Sequence, residues 1–508
     1  MPSIYDLLFH LLLLLLTLLT ILYLYIKHQH QHWRRLSIPY LEPKFPLGNL
    51  RNPFLKDRSQ VEQFADWYRA LKAKGHRYGG IYLFALPNFV PVDTEVVRDV
   101  LVKEFQSFFD RGFYYNEVDP LSMHLLSLEG MKWKRLRAKL TPTFTSGKMK
   151  MMLETLIRCC DPIPALLTTS TTTNHPIDMK HIFASYTIDV IGSCAFGIQC
   201  NTLHDNNESD FRKYGELVFH DTIYRMLRAL FVFNFPNVAA FFRMQVTKPE
   251  VSKFFLHLIH ETVKAREATG EVRKDFMQLL LELKRLRDEG EEDGISMEEL
   301  SAQAFIFFLA GFETSSTVGT FCMYELAEHQ VVQDRLREEI REVLGRHGGK
   351  ITYDALQEMK YMTQVIEETL RKYPPLSFLN RVCTSDYKIP GTQVTLVKGT
   401  KVLISVLGLQ RDPEFFPDPE KFDPERFSEE NKDKIVPYSY IPFGEGPRIC
   451  IGLRFGMMQT KMGLIALLKN HKFTVNPKTQ TPIVMDFSSI ILAAKGGVWL
   501  DVQEVGSQ

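Results

Sequence analysis

The sequence predicts a mainly α-helical protein with a smaller β-rich region, preceded by a single N-terminal transmembrane helix. Three observations carry that expectation. Twenty residues from Leu7 to Ile26 are almost wholly apolar, a proline-free helical stretch runs from Met297 to His329, and strand-like segments stand at Tyr78–Val92 and in the tail from Lys472 onward. Twenty helical residues at about 1.5 Å each span roughly 30 Å, the thickness of a bilayer core.

The apolar run is broken by His10 and two threonines. A cleaved signal peptide is the competing reading, but the amino end carries Asp6 in place of a basic region, and no small-residue cleavage site follows. Lys27, Arg34 and Arg35 follow the span and no Lys or Arg precedes it, so the positive-inside rule puts the rest of the chain in the cytoplasm. His28 to His32 alternates histidine and glutamine and reads as a polar interfacial spacer, with a metal-binding tract as the competing reading. Pro39, Pro43 and Pro46 then stiffen an extended lead. The expected division is an anchor over 1–26, a proline-rich hinge over 27–50 and a catalytic domain over 51–508.

Composition is that of a globular protein, with 45% hydrophobic and 24% charged residues. A net charge of +1 argues against a nucleic-acid partner, whose binding rests on a basic excess. Seven cysteines at irregular spacing, with no CxxC pair, exclude a disulfide scaffold or zinc module and fit a reducing compartment. Tyr78–Val92, interrupted by Pro87-Asn88, reads as a hairpin. Residues 250–289 and 330–345 carry helical periodicity, as does Leu453–Leu468. Ser296 and Glu299 form a capping box that starts the long helix, and its middle reads Ala310-Gly311-Phe312-Glu313-Thr314. A mid-helix glycine costs about 1 kcal/mol against alanine unless something needs the room.

The chemistry is concentrated in Phe443-Gly444-Glu445-Gly446-Pro447-Arg448-Ile449-Cys450-Ile451-Gly452. A lone cysteine is usually a small buried hydrophobe. Here it closes a glycine- and proline-ruled loop just before a helix, where backbone N–H groups and the positive helix end favour a thiolate, with Arg448 as a nearby cation. The run resembles the haem-ligating loop of the cytochrome P-450 superfamily, at Phe443, Gly446, Arg448, Cys450 and Gly452. The resemblance covers nearly all residues after about 35 and implies the cytochrome P-450 fold, with haem b held through Cys450 as axial thiolate.

The same resemblance implies further roles. Ala310 and Gly311 lie against the macrocycle, while Thr314 and Glu313 relay protons on its distal side. Trp133 and Arg137, four apart on one helical face, join Arg448, Arg381 and Arg111 in holding the propionates, and Glu368, Arg371 and Arg426 form a structural ion network. Lys132, Arg135 and Lys139 make a basic stripe for an NADPH-dependent flavoprotein reductase, which is needed because no GxGxxG fingerprint is evident, with cytochrome b5 as a further electron donor. Substrate contacts are expected from Phe113–Met131, Phe305, Phe308, Leu309, Leu376–Leu379 and Ser488–Leu492, which are largely apolar and imply a lipophilic ligand. The segment 230–235 is read equally as a bilayer contact or a buried connection. The wording of Ala310–Ser315 and Arg454–Gln459 is most similar to insect microsomal, xenobiotic-metabolising members. The implied activity is monooxygenation at the endoplasmic reticulum membrane, in the breakdown of insecticides and plant toxins or in hormone metabolism. A haem-thiolate isomerase and a non-catalytic haem sensor are the alternatives.

Overall fold

The computed structural model describes residues 3–51, 59–203, 210–219, 228, 231–232, 234–273, 275–291, 293–487 and 489–505. Ser488, and Leu230 and Phe233 within the segment 230–235, lie outside the described residues. Helix α1 spans Ile4–Gln29, begins with a Ser3/Asp6 capping box, and is exposed along nearly its whole length. Its leucines are exposed among the described residues, and its length and apolarity make it a candidate membrane span. The segment read as an extended hinge is more ordered than its prolines suggest. It contains a turn of helix, α2 (His32–Arg35), and a fully buried Trp33.

The hairpin forms as β1 (Tyr78–Leu83) and β2 (Leu86–Pro91), paired from Tyr78↔Pro91 to Leu83↔Leu86. Two later strands complete a four-stranded sheet. Labelling Phe378–Val382 as β3 and Lys401–Ser405 as β4, the order is β1-β2-β4-β3, with β2 and β4 parallel. The tail strands β5 (His471–Val475) and β6 (Trp499–Glu504) form a second sheet with Ile177–Asp178.

Helices make up the rest. The central one, which we call α5, is Met297–Glu328, 32 residues long with both halves of the expected capping box. Helix α3 (Gly130–Leu140) precedes α4 (Met179–Ile191), which packs along α5. The periodic stretch over 250–289 divides into Pro249–Thr269 and Phe276–Asp288, separated where Gly270 turns left-handed. Helix α6 (Lys360–Lys372) carries the ion network, and α7 (Leu453–Leu468) follows the cysteine loop and packs on α5. The central helix is apolar nearly all round and largely buried, as such a helix must be. It lies at the centre of the fold.

Candidate active site

Along the middle of α5 one stripe is not buried. Ile306, Gly311 and Thr314 are partly accessible and Ala310 is exposed, while Phe305, Phe307, Phe308, Leu309, Phe312 and Glu313 are buried. Positions 306, 310 and 314 recur every four residues, hence on one face. Since α5 is buried on both sides of this stripe, the accessible residues face a space inside the fold. Phe305 and Phe308, expected to meet ligand, pack instead against Phe255, with Phe308 also near Phe196 and Phe211.

The glycine at 311 has a packing reason the sequence did not reveal. A Cβ there would stand 2.3 Å from Ile191 Cδ1, so α4 needs the room that was expected to serve a macrocycle. Thr314 Oγ1 donates to the Ala310 carbonyl at 2.5 Å. Consecutive helical residues point about 100° apart, and Glu313 accordingly leaves the stripe. Its carboxylate accepts from Lys180 Nζ on α4 at 2.6 Å, and Lys180 also reaches Ser316 Oγ at 2.9 Å. Lys180, 133 residues away, had no sequence signal tying it to this site.

The cysteine loop is held by its own backbone. The Cys450 N–H donates to the Phe443 carbonyl at 2.9 Å. Gly446 has a φ of +70°, and a Cβ on it would meet the Leu101 carbonyl oxygen at 2.1 Å. Cys450 is exposed at its surface, yet the surrounding protein pushes its thiol up by burial. The Gly452 N–H and the guanidinium groups of Arg137 and Arg111 draw it back down. Arg448, expected to be the cation near sulfur, turns elsewhere. It donates to the carbonyls of Phe109 (2.7 Å) and Leu128 (3.0 Å), approaches Asp110 at 3.4 Å, and lies 4.1 Å from the centre of the Trp133 ring.

Four of the predicted arginines converge here. Arg137 donates to the Ile449 carbonyl (2.9 Å), Arg111 to that of Arg448 (3.1 Å), and Arg381 on β3 to that of Asn380 (2.8 Å). Burial and mutual repulsion press Arg111 down to about 10 and Arg448 to about 9, and hold Arg381 well below its ordinary value. Guanidinium groups stay charged at neutral pH all the same. Buried Arg111 Nε, Arg381 Nε and Arg448 Nη1 have no hydrogen-bond partner among the described residues. A crowded, desolvated set of cations with idle donors calls for an anion beyond Asp110 and the nearby Glu129. Carboxylates of a porphyrin fit that demand, and a thiol within electrostatic reach of Arg137 and Arg111 fits its iron.

Behind the loop, Glu368 accepts from Arg371 Nε (2.6 Å) and Nη2 (2.8 Å), with Arg426 Nε at 3.5 Å. Arg371 also donates to the Gln410 carbonyl, and Gln410 Oε1 accepts from the Ile441 N–H two residues before Phe443. On the opposite side of α3, Lys132 and Arg135 are exposed, whereas Lys139 folds onto the Gly294 carbonyl at 3.3 Å.

The cytochrome P450 family model matches residues 46–500. From Drosophila melanogaster, "Probable cytochrome P450 6a23" is 42% identical over 477 residues, covering 93% of this chain and 95% of the relative. "Cytochrome P450 6a2" is 41% identical over 483 residues at the same coverage, and "Cytochrome P450 6a9" is 40% identical over 479, covering 93% and 94%. The matched range includes the cysteine loop, the central-helix stripe and the arginine cluster, and on that evidence the chain belongs to the cytochrome P450 family of haem-thiolate monooxygenases.

Proposed function

We propose that this enzyme is a membrane-anchored monooxygenase of lipophilic substrates, in which Cys450 ligates the haem iron and electrons arrive from NADPH through a separate flavoprotein reductase. The observation that carries this reading is the set of buried guanidinium N–H groups on Arg111, Arg381 and Arg448 that no described residue accepts, in a cluster whose Arg111 and Arg137 act on the Cys450 thiol. Bound haem would supply oxygen activation, which thiolate ligation favours.

The chain's own residues do the rest. Arg111, Arg381 and Arg448 hold carboxylates, while Trp133 fixes the plane of the Arg448 guanidinium and Arg137 steadies the loop at Ile449. Phe443 anchors the cysteine amide. Ile306, Ala310 and Gly311 present an apolar wall that excludes water and orients a greasy ligand. Thr314 spends its hydroxyl hydrogen on Ala310, so its oxygen lone pairs face the interior and can hold a water proton in place. Glu313 joins that relay only by releasing Lys180.

Helix α1 anchors the enzyme in the endoplasmic reticulum membrane, with the body on the cytoplasmic side, a reading supported by the cations that follow the span. Exposed Phe241 and Phe242, in and just after the helix Pro236–Phe241, add lipid contact beside that anchor. Lys132 and Arg135 belong to the docking face for the reductase, and cytochrome b5 is a second donor to the same face. The substrates are xenobiotics such as insecticides and plant toxins, with insect hormones as the second class.

The test is reconstitution with a flavoprotein reductase in lipid. Product formation that requires NADPH, oxygen and reductase together supports the proposal. Conversion of a peroxide with none of them favours an isomerase, and haem binding without any turnover favours a sensor. A screen of ligand-induced spin-state shifts separates xenobiotics from hormones.

A further inference from the structure

We propose that the anchor helix and the catalytic body form one rigid unit, locked by Trp33 seated on Gly80, so that the protein itself sets the orientation of the body on the bilayer. This rests on the reading of α1 as a membrane span.

A tether behaves as a flexible chain with free amides and solvated side chains. The joint has neither property. Ile26, at the end of the apolar run, is 1% exposed, and α1 continues three residues beyond it. His30 Nε2 donates to the Phe84 carbonyl at 2.9 Å, at the turn of the β1–β2 hairpin. Trp33 is fully buried. Its indole N–H donates to the Ile81 carbonyl and its backbone N–H to the Tyr82 hydroxyl, both at 3.1 Å.

The strand beneath is cut to receive it. A Cβ on Gly80 would stand 2.3 Å from Trp33 Cδ1, so an ordinary residue in that strand position excludes the indole. Farther on, the Gly80 N–H donates to the Pro39 carbonyl (2.8 Å) and the Leu41 N–H to the Gly80 carbonyl (3.0 Å), which extends the sheet onto the joint. Two ring contacts brace the helix from other sides, Tyr23 with Phe45 at 5.1 Å and Tyr25 with Phe235 at 5.9 Å. The helix is thus held by the hairpin, by the segment after the joint and by residue 235, three separate parts of the chain.

Hydrogen exchange on the full-length holoenzyme in nanodiscs tests this, read over residues 27–42. The expected result is exchange at least about 100-fold slower than in the same segment as a free peptide, as for packed structure. Trp33→Ala, and Gly80→Ala, which displaces the indole without touching the anchor, both raise exchange in 27–42 and leave α5 slow. Polarised Soret absorption on aligned bilayers gives one tilt in the wild type and a broadened distribution in both variants. Peptide-like exchange in the wild type, or slow exchange and an unchanged tilt in both variants, overturns the proposal. Alkaline carbonate washing separates the two readings. If the protein leaves the membrane, the anchor reading has failed. Retention with fast exchange at the joint sinks only the rigid unit.

Discussion

Replacing Glu368 tests how the structure supports the cysteine loop. The carboxylate accepts from Arg371 at 2.6 and 2.8 Å and from the Asp423 N–H at 2.9 Å, with Arg426 at 3.5 Å, and both Glu368 and Arg371 have no exposed side-chain surface. Glu368→Ala leaves a fully buried guanidinium and a backbone donor without their acceptor. Stranding one member of a buried pair costs about 3–5 kcal/mol, a large part of the roughly 5–15 kcal/mol that keeps a domain folded. Glu368→Gln preserves shape and one acceptor but loses charge-assisted bonds worth about 1.5–3 kcal/mol. The damage reaches the site, since Arg371 bonds Gln410, and Gln410 bonds Ile441 just ahead of Phe443. Urea titration followed by both tryptophan fluorescence and the Soret band should show lower midpoints in the order wild type, Gln, Ala, with haem released before the helices melt. A Glu368→Ala enzyme that unfolds at the wild-type urea concentration with haem retained would show that this network does not support the cysteine loop.

Other predictions follow from the same geometry. Burial raises Glu367 from 4.5 to about 7, against the nearby Lys461 and Lys432. A carboxyl raised in the folded state lends stability that is complete below pH 4.5 and is lost as pH climbs through about 7, up to roughly 3 kcal/mol at 1.36 kcal/mol per unit. Glu367→Gln should flatten that slope, and denaturation midpoints at pH 5 and pH 8 will show it. Arg381→Leu relieves cation crowding but removes a carboxylate donor, so the apoprotein should hold its stability while haem transfer to apomyoglobin quickens severalfold. Thr314→Ala should raise NADPH consumed per product formed, and unchanged coupling removes the hydroxyl from the relay.

Local features of this fold were legible in the sequence. The capping box at Ser296 and Glu299 and the periodic run Leu453–Leu468 appear as helices at those positions, because periodicity and caps act within a few residues. The Glu368–Arg371 pair was readable as neighbours on one helix. Contacts between distant segments were not. Nothing near Glu313 announces Lys180, and Gly311 owes its missing side chain to Ile191 on α4 rather than to spacing along α5. Arg448 looked like a partner for sulfur by proximity in sequence, but the carbonyls of Phe109 and Leu128 claim it. The prolines after the anchor suggested a spacer, whereas a single indole and the glycine beneath it make a joint. Ile306 was the recoverable omission, one turn ahead of Ala310 on the same face.

The most direct test of the account is the absorption spectrum of the reduced, carbon monoxide-treated protein beside that of its Cys450→Ala variant. A strongly red-shifted Soret band, the mark of a thiolate opposite the bound gas, is expected in the wild type and should be lost in the variant. A variant that keeps the band, or a wild type that never shows it although haem is bound, contradicts the assignment of Cys450 as the iron ligand.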